Sequence, residues 1–176
     1  MIIFARHGET DANKRNLFNG ETDHALNEVG LLQARKLAQK LADRKFAKVY
    51  CSDKLRAIQT AEIITGGKEF AIDERITELR CGKFDGRRKN IFSVMRFVRA
   101  VKRGARGAER FDLFLARNID FFENILKPGQ KSGEDILVVS HEGNAKALDF
   151  YLKGKPKGYR FSKRLIENGG ILVFEC

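Results

Sequence analysis

Two apolar runs of this chain each end in histidine: Ile2-Ile3-Phe4-Ala5-Arg6-His7-Gly8-Glu9-Thr10 near the start, and Ile136-Leu137-Val138-Val139-Ser140-His141-Glu142-Gly143 near the end. If both are parallel strands, their histidines stand at the carboxyl edge of one sheet, where open α/β folds bind their ligands. The chain has only three histidines, so two of them at such positions is a strong constraint. Glycine follows each within two residues, which lets backbone approach a ligand closely and offers N–H groups to an anion. The expected ligand is phosphate.

The segments between these runs alternate helix and strand. Asp11 to Asn27 is too irregular for either and reads as a polar loop. From Glu28, Leu31, Ala34, Leu37, Ala38 and Leu41 recur at helical spacing with Asn27 as the cap. Val49-Tyr50-Cys51-Ser52 reads as a strand that delivers Ser52 and Asp53 to a helix over Leu55 to Ile64, closed by Gly66-Gly67. Phe70-Ala71-Ile72 is a further strand. Helices are expected near Asn90 to Lys102, Glu109 to Leu126 and Asn144 to Leu152, before a last strand, Ile171 to Phe174. The fold class this predicts is α/β, a three-layer α/β/α sandwich with a largely parallel central sheet. A length of 176 residues suits one domain with a real core, spanning 1-176.

Arg6 and His7 interrupt the first apolar run almost at once, so it reads as a strand rather than a leader, and no run approaches a membrane span. Cys51, Cys81 and Cys176 are odd in number and lack ligand spacing, so they are expected to be reduced, with neither disulfides nor a metal site. A cytoplasmic setting follows. Net charge is +11, which attracts anions generally.

Four distant segments carry groups suited to phosphoryl transfer: Arg6 to Glu9, Ser52 to Arg56, Glu78, and His141 to Gly143. Guanidinium groups match two phosphoryl oxygens at once, which makes Arg6 and Arg56 the clamps. An imidazole kept neutral by donating from its other nitrogen attacks phosphorus and divides one hard step into two, and His7 is that nucleophile. A departing alkoxide needs a proton from an acid beside the scissile oxygen, and Glu78 is the candidate. Protonated His141 and the backbone N–H of Glu142 are expected to hold the equatorial oxygens. No aspartate cluster offers magnesium a site, so no cofactor is expected. His24, in a polar loop without a partner motif, reads as a solvated surface residue.

Taken together, these residues resemble the histidine phosphatase superfamily, in its phosphoglycerate mutase-like branch. The resemblance runs in order through Arg6-His7-Gly8-Glu9-Thr10, Asn13, Asn19-Gly20, Asp23, Leu26, Gly30, Gln33-Ala34, Ser52 to Ala61, Glu78-Leu79, Phe84-Asp85-Gly86, Val139 to Gly143 and Asn168. It implies a phosphorylated His7, Glu78 as proton donor and acceptor, a phosphate pocket of Arg6, Arg56 and His141, and substrate contacts from Asn13 and from the loop at Asn19-Gly20. The chain departs from the commonest pattern at Asn27, Ala12 and Lys54, and Ala12 is expected to alter the pocket mouth.

Arg87 to Arg106 holds eight basic residues and no acidic one. Ile91, Val94, Met95, Val98 and Val101 form an apolar stripe, with Arg96, Arg99, Lys102 and Arg103 on the other side. An amphipathic lid or flanking helix near 87-108 with a solvated cationic face is expected. A polyanion-drawing lid, a nucleic-acid contact or an anionic membrane contact is the sharper alternative. Only Phe92 and Phe97 interleave with the basic residues, which disfavours base stacking. The expected activity is metal-independent hydrolysis of a small phosphorylated metabolite. Phosphoglycerate mutase-type transfer is the alternative, disfavoured because this length leaves little for the lid insertions and ordered tail that exclude water. A protein phosphohistidine phosphatase or a nucleic-acid-binding moonlighting protein is a more distant reading.

Overall fold

The computed structural model describes residues 1–130, 135–155, 157 and 165–174. In chain order its elements are β1 (Ile2–Arg6), α1 (Asp11–Lys14), α2 (Glu28–Lys40), β2 (Phe46–Cys51), α3 (Leu55–Thr65), β3 (Ala71–Ile72), α4 (Ile91–Arg103), α5 (Phe111–Phe121), α6 (Lys127–Gln130), β4 (Asp135–Ser140), α7 (Glu142–Leu152) and β5 (Ile171–Phe174). The strands form one sheet in the order β3-β2-β4-β1-β5. The pairs β2–β3, β2–β4 and β1–β4 are parallel, and β5 joins the β1 edge antiparallel.

Alternation along the central strands builds the layers. Ile2 and Phe4 of β1, with Ile136 and Val138 of β4, face Phe121, Leu126 and Leu148. Ile3 and Ala5, with Leu137 and Val139, face Leu37, Ala57 and Ala61. Both faces of β1 are therefore buried, which is why its sequence shows no polar alternation. Helices α5 and α7 cover one face, α2 and α3 the other, giving the expected three-layer sandwich. Register pairs Arg6 with Ser140, and His7 N–H donates to the Ser140 carbonyl at 3.0 Å, so the two histidines leave the sheet side by side.

Several local expectations need correction. The loop expected over Asp11 to Asn27 contains α1, because Thr10 and Asn13 form a capping box, each side chain closing on the other's backbone. Glu109 does not belong to a helix reaching Leu126; α5 begins at Phe111, and a π-helical turn spans Phe122–Leu126. The stripe on α4 is rotated from the expected one. Its inward side is Val94, Phe97, Ala100 and Val101, which join Phe18, Leu79 and Phe84 in a satellite core. Ile91, Met95 and Val98 remain exposed among the basic residues. Phe97, expected to interleave with cations, stacks inward 4.8 Å from the Phe18 ring. Ala12 is buried, away from the cleft described below.

Candidate active site

His7 and His141 stand at the carboxyl ends of adjacent strands with ring centroids 5.1 Å apart. His7 Nδ1 donates to the carbonyl of Gly8 at 2.7 Å, which leaves the Nε2 lone pair for other chemistry. Burial, then the charge of Arg56, then that of Arg6, hold the His7 pKa well below its ordinary value; the bond to Gly8 opposes them and loses. Burial and Arg56 depress His141 in the same way. In the absence of an anion, burial and the two guanidinium groups thus disfavour the charged form of both rings.

Each histidine is held from outside the sheet. Ser52, one residue beyond β2, places its Oγ 2.8 Å from His141 Nε2, while His141 Nδ1 is buried with no hydrogen bond among the described residues. His141 also opens α7 as its N-cap without a side-chain capping bond, so the 11-residue helix directs its amino end toward this region. Asn168 donates to the carbonyls of His7 (3.3 Å) and Gly8 (3.4 Å) and to Asn13 Oδ1 (3.3 Å), securing the turn after β1.

The glycines serve tighter purposes than the sequence suggested. The Gly8 N–H, expected to face an anion, donates to Thr60 Oγ1 at 3.1 Å. Glycine is needed there because a Cβ would lie 2.4 Å from the Gly30 carbonyl oxygen of α2. At Gly143 a Cβ would come 2.3 Å from Glu78 Oε1, so the acid packs directly on the first turn of α7.

A cleft of about 690 Å³ opens onto these groups. Arg6, His7, Asn13, Asn19, Glu78 and Glu142 all line it. Arg56 and His141 lie behind its wall, each 0% exposed. Arg56 donates to the carbonyls of Thr22 (3.2 Å), Asn19 (3.4 Å) and Gly20 (3.2 Å), leaving its buried Nε without a partner among the described residues. Gly20 lies outside the lining, and its N–H donates to Asp85 at 2.6 Å. Arg6 Nη1 donates to Glu142 Oε2 at 3.0 Å and to the Ile166 carbonyl at 2.7 Å. Glu142 also pairs with Lys146 at 2.7 Å. Burial opposes ionisation of Glu142, but Lys146 and Arg6 prevail and hold its carboxyl below the usual range. Asn13 spends its amide oxygen on Thr10 and Asn168. His24 lies outside the cleft.

The sequence reading missed the frame around Glu78. Arg117 on α5 donates through Nη1 to the carbonyls of Arg75 and Thr77, both at 2.6 Å, and through Nη2 to that of Glu78 at 3.2 Å. Two further bonds, at 2.8 and 3.0 Å, tie it to Glu109. Asn144 of α7 adds a bond to the Thr77 carbonyl at 3.1 Å. A 3.6-periodic pattern marks Arg117 only as a polar position on α5; nothing local ties it to a loop 39 residues earlier. Among the described residues no group of three histidine, cysteine or carboxylate side chains could hold a metal ion.

A largely parallel α/β sandwich thus sets two buried histidines beside the guanidinium groups of Arg6 and Arg56, a setting that favours an anion. The chain belongs to the histidine phosphatase superfamily, branch 1, whose family model matches residues 2–176. It is similar to the phosphoglycerate mutase-like protein 4 of Arabidopsis thaliana, 31% identical, with 98% of this chain and 78% of that protein covered. Among solved structures it resembles Bacillus stearothermophilus YhfR, with a TM-score of 0.80 at 26% identity over 97% of this chain and 88% of that one. The alpha-ribazole phosphatase of Shigella flexneri gives 0.78 at 26% identity, over 96% and 86%. No helix among the described residues is long and apolar enough to cross a membrane.

Proposed function

We propose that the protein, as one catalytic unit over 1-176, hydrolyses phosphate monoesters through a phosphohistidine at His7. The observation that carries this reading is the Nδ1–H bond to Gly8 at 2.7 Å, which fixes the tautomer with its lone pair on Nε2 inside a site where Arg6 and Arg56 favour an anion. His7 Nε2 attacks phosphorus, the ester P–O bond breaks, and the departing alkoxide takes the proton carried by Glu78. Water then attacks phosphorus and gives a proton to Glu78; the P–N bond breaks, returning neutral His7 and inorganic phosphate. Arg6, the buried Arg56, His141 Nδ1 and the α7 amino end stabilise the charge on the equatorial oxygens. Asn13 and Asn19 face the alcohol end, and Gly20 supports Arg56. No step calls on a metal.

Hydrolysis is favoured over mutase transfer because a cleft of about 690 Å³ leaves room for water beside His7. The buried, unpaired Cys51 and Cys81 support a cytoplasmic setting; Cys176 lies outside the described residues. Assay of alkyl phosphates with chelator present, for the wild type and His7→Ala, tests this reading. Turnover that persists in chelator and disappears in the variant is expected, and retained turnover in His7→Ala would overturn it.

A further inference from the structure

The cleft is larger and less polar than a phosphorylated three-carbon metabolite requires. At about 690 Å³ it lies within the range of roughly 300–1,000 Å³ that encloses drug-sized ligands. Arg6, His7 and Glu78 line it together. An apolar wall is built by Val94, Phe97, Val98 and Val101 of α4 with Phe111 and Phe114 of α5, and Phe114 brings it up to Glu78, both lying within 3.3 Å of where a Cβ on Gly143 would stand. This wall continues to the surface: Val98 lines the cleft yet is 45% exposed, and Met95 and Ile91, one turn and two turns back along the same edge, are 51% and 68% exposed. An apolar track therefore runs from the phosphate end to the outside of the molecule, bordered by Lys89 and Lys102, whose stems extend it.

Resting on the phosphatase reading above, we propose that the substrate is an amphiphilic phosphomonoester, with its phosphate at His7 and an apolar tail along α4. A polar metabolite would leave this wall wetted and gain nothing from it. A tail would displace that water, at about two- to fourfold in kcat/KM per buried methylene. The cations at the rim are compatible with a second phosphate instead, and that alternative is an outcome of the test.

The test measures kcat/KM for saturated alkyl phosphates from ethyl to decyl, below their aggregation limits, together with a short diol bisphosphate. Leaving-group acidity is nearly constant along the alkyl series, so chain length reports the wall alone. Hexyl phosphate is expected to exceed ethyl by at least tenfold, and Val98→Lys, which sets a charge into the track, to flatten the slope against chain length. A flat or falling wild-type series, a slope unchanged in Val98→Lys, or a tenfold preference for the bisphosphate over hexyl phosphate would overturn the proposal. Decyl phosphate held in phosphatidylcholine vesicles separates two sources of the same ligand: turnover there supports a lipid-borne ester, and turnover only of the monomer supports a free amphiphile. If no ester of any length is hydrolysed, the phosphatase reading itself has failed; if all are hydrolysed equally, only the tail has.

Discussion

Arg117→Met separates the positioning of the acid from the rest of the site. Glu109 is 7% exposed, and its carboxylate takes two charged bonds from Arg117. Breaking a buried pair from one side costs about 3–5 kcal/mol, and Arg117, one-fifth exposed, places this case near 3 kcal/mol. A domain with about 5–15 kcal/mol of stability survives that loss. The catalytic consequence is selective. The loop carbonyls of Arg75, Thr77 and Glu78 lose their shared donor, so Glu78 drifts while His7, Arg56 and His141, held by other elements, stay in place. General acid assistance is worth about 10²–10⁴-fold, and kcat/KM for an alkyl phosphate should fall by about 10²-fold. p-Nitrophenyl phosphate, whose leaving group needs no proton, should change by less than about threefold. The double variant Glu109→Gln/Arg117→Met removes the stranded charge, so its denaturation midpoint should recover most of the loss while the alkyl ester stays slow. Equal falls for both esters would refute the positioning role of Arg117.

The remaining predictions use the same assays. His7 and His141 are neutral when folded and titrate near 6.5 when unfolded. Their contribution is therefore present above that pH and lost as pH falls below it, at up to about 1.4 kcal/mol per pH unit for each. Urea midpoints between pH 7 and 5.5 should fall accordingly, and His141→Asn should roughly halve the slope; a flat profile would contradict the burial assigned to the rings. Binding of phosphate or vanadate should take up protons near pH 6, because the arriving anion raises both histidines, and calorimetry in buffers of different ionisation enthalpy measures that uptake. Gly143→Ala should slow alkyl ester hydrolysis by at least tenfold, since its Cβ would stand 2.3 Å from Glu78 Oε1, while phosphate affinity changes little; equal loss of both would place the damage elsewhere.

What could be read from the sequence was what is local or periodic. Ile2 to Ala5 and Ile136 to Val139 declare fully buried strands, and a histidine after each fixes the edge of the sheet. Asn27 caps α2 as its side chain suggests. The remainder depends on contacts between distant segments. Gly8 looks like an anion-binding glycine, yet it answers to Gly30 across the α2 interface, and its N–H belongs to Thr60. Arg56 reads as a phosphate clamp, and what the sequence does not show is that it is buried and grips the carbonyls of Asn19, Gly20 and Thr22. The rotation of the α4 stripe follows from the satellite core: Phe97 meets Phe18 and Phe84, and this contact turns Met95 and Ile91 outward. Arg117 and Glu109 carry no motif at all.

Whether His7 itself takes phosphorus is best tested by mixing the protein with excess ester, quenching in alkali within the first turnover, and mapping the phosphoryl group by peptide mass spectrometry. A burst of alcohol equal to the enzyme, with the phosphoryl group on the peptide containing His7, is the predicted result. Steady turnover without any phosphorylated peptide, or a phosphoryl group on His141 instead, would contradict it.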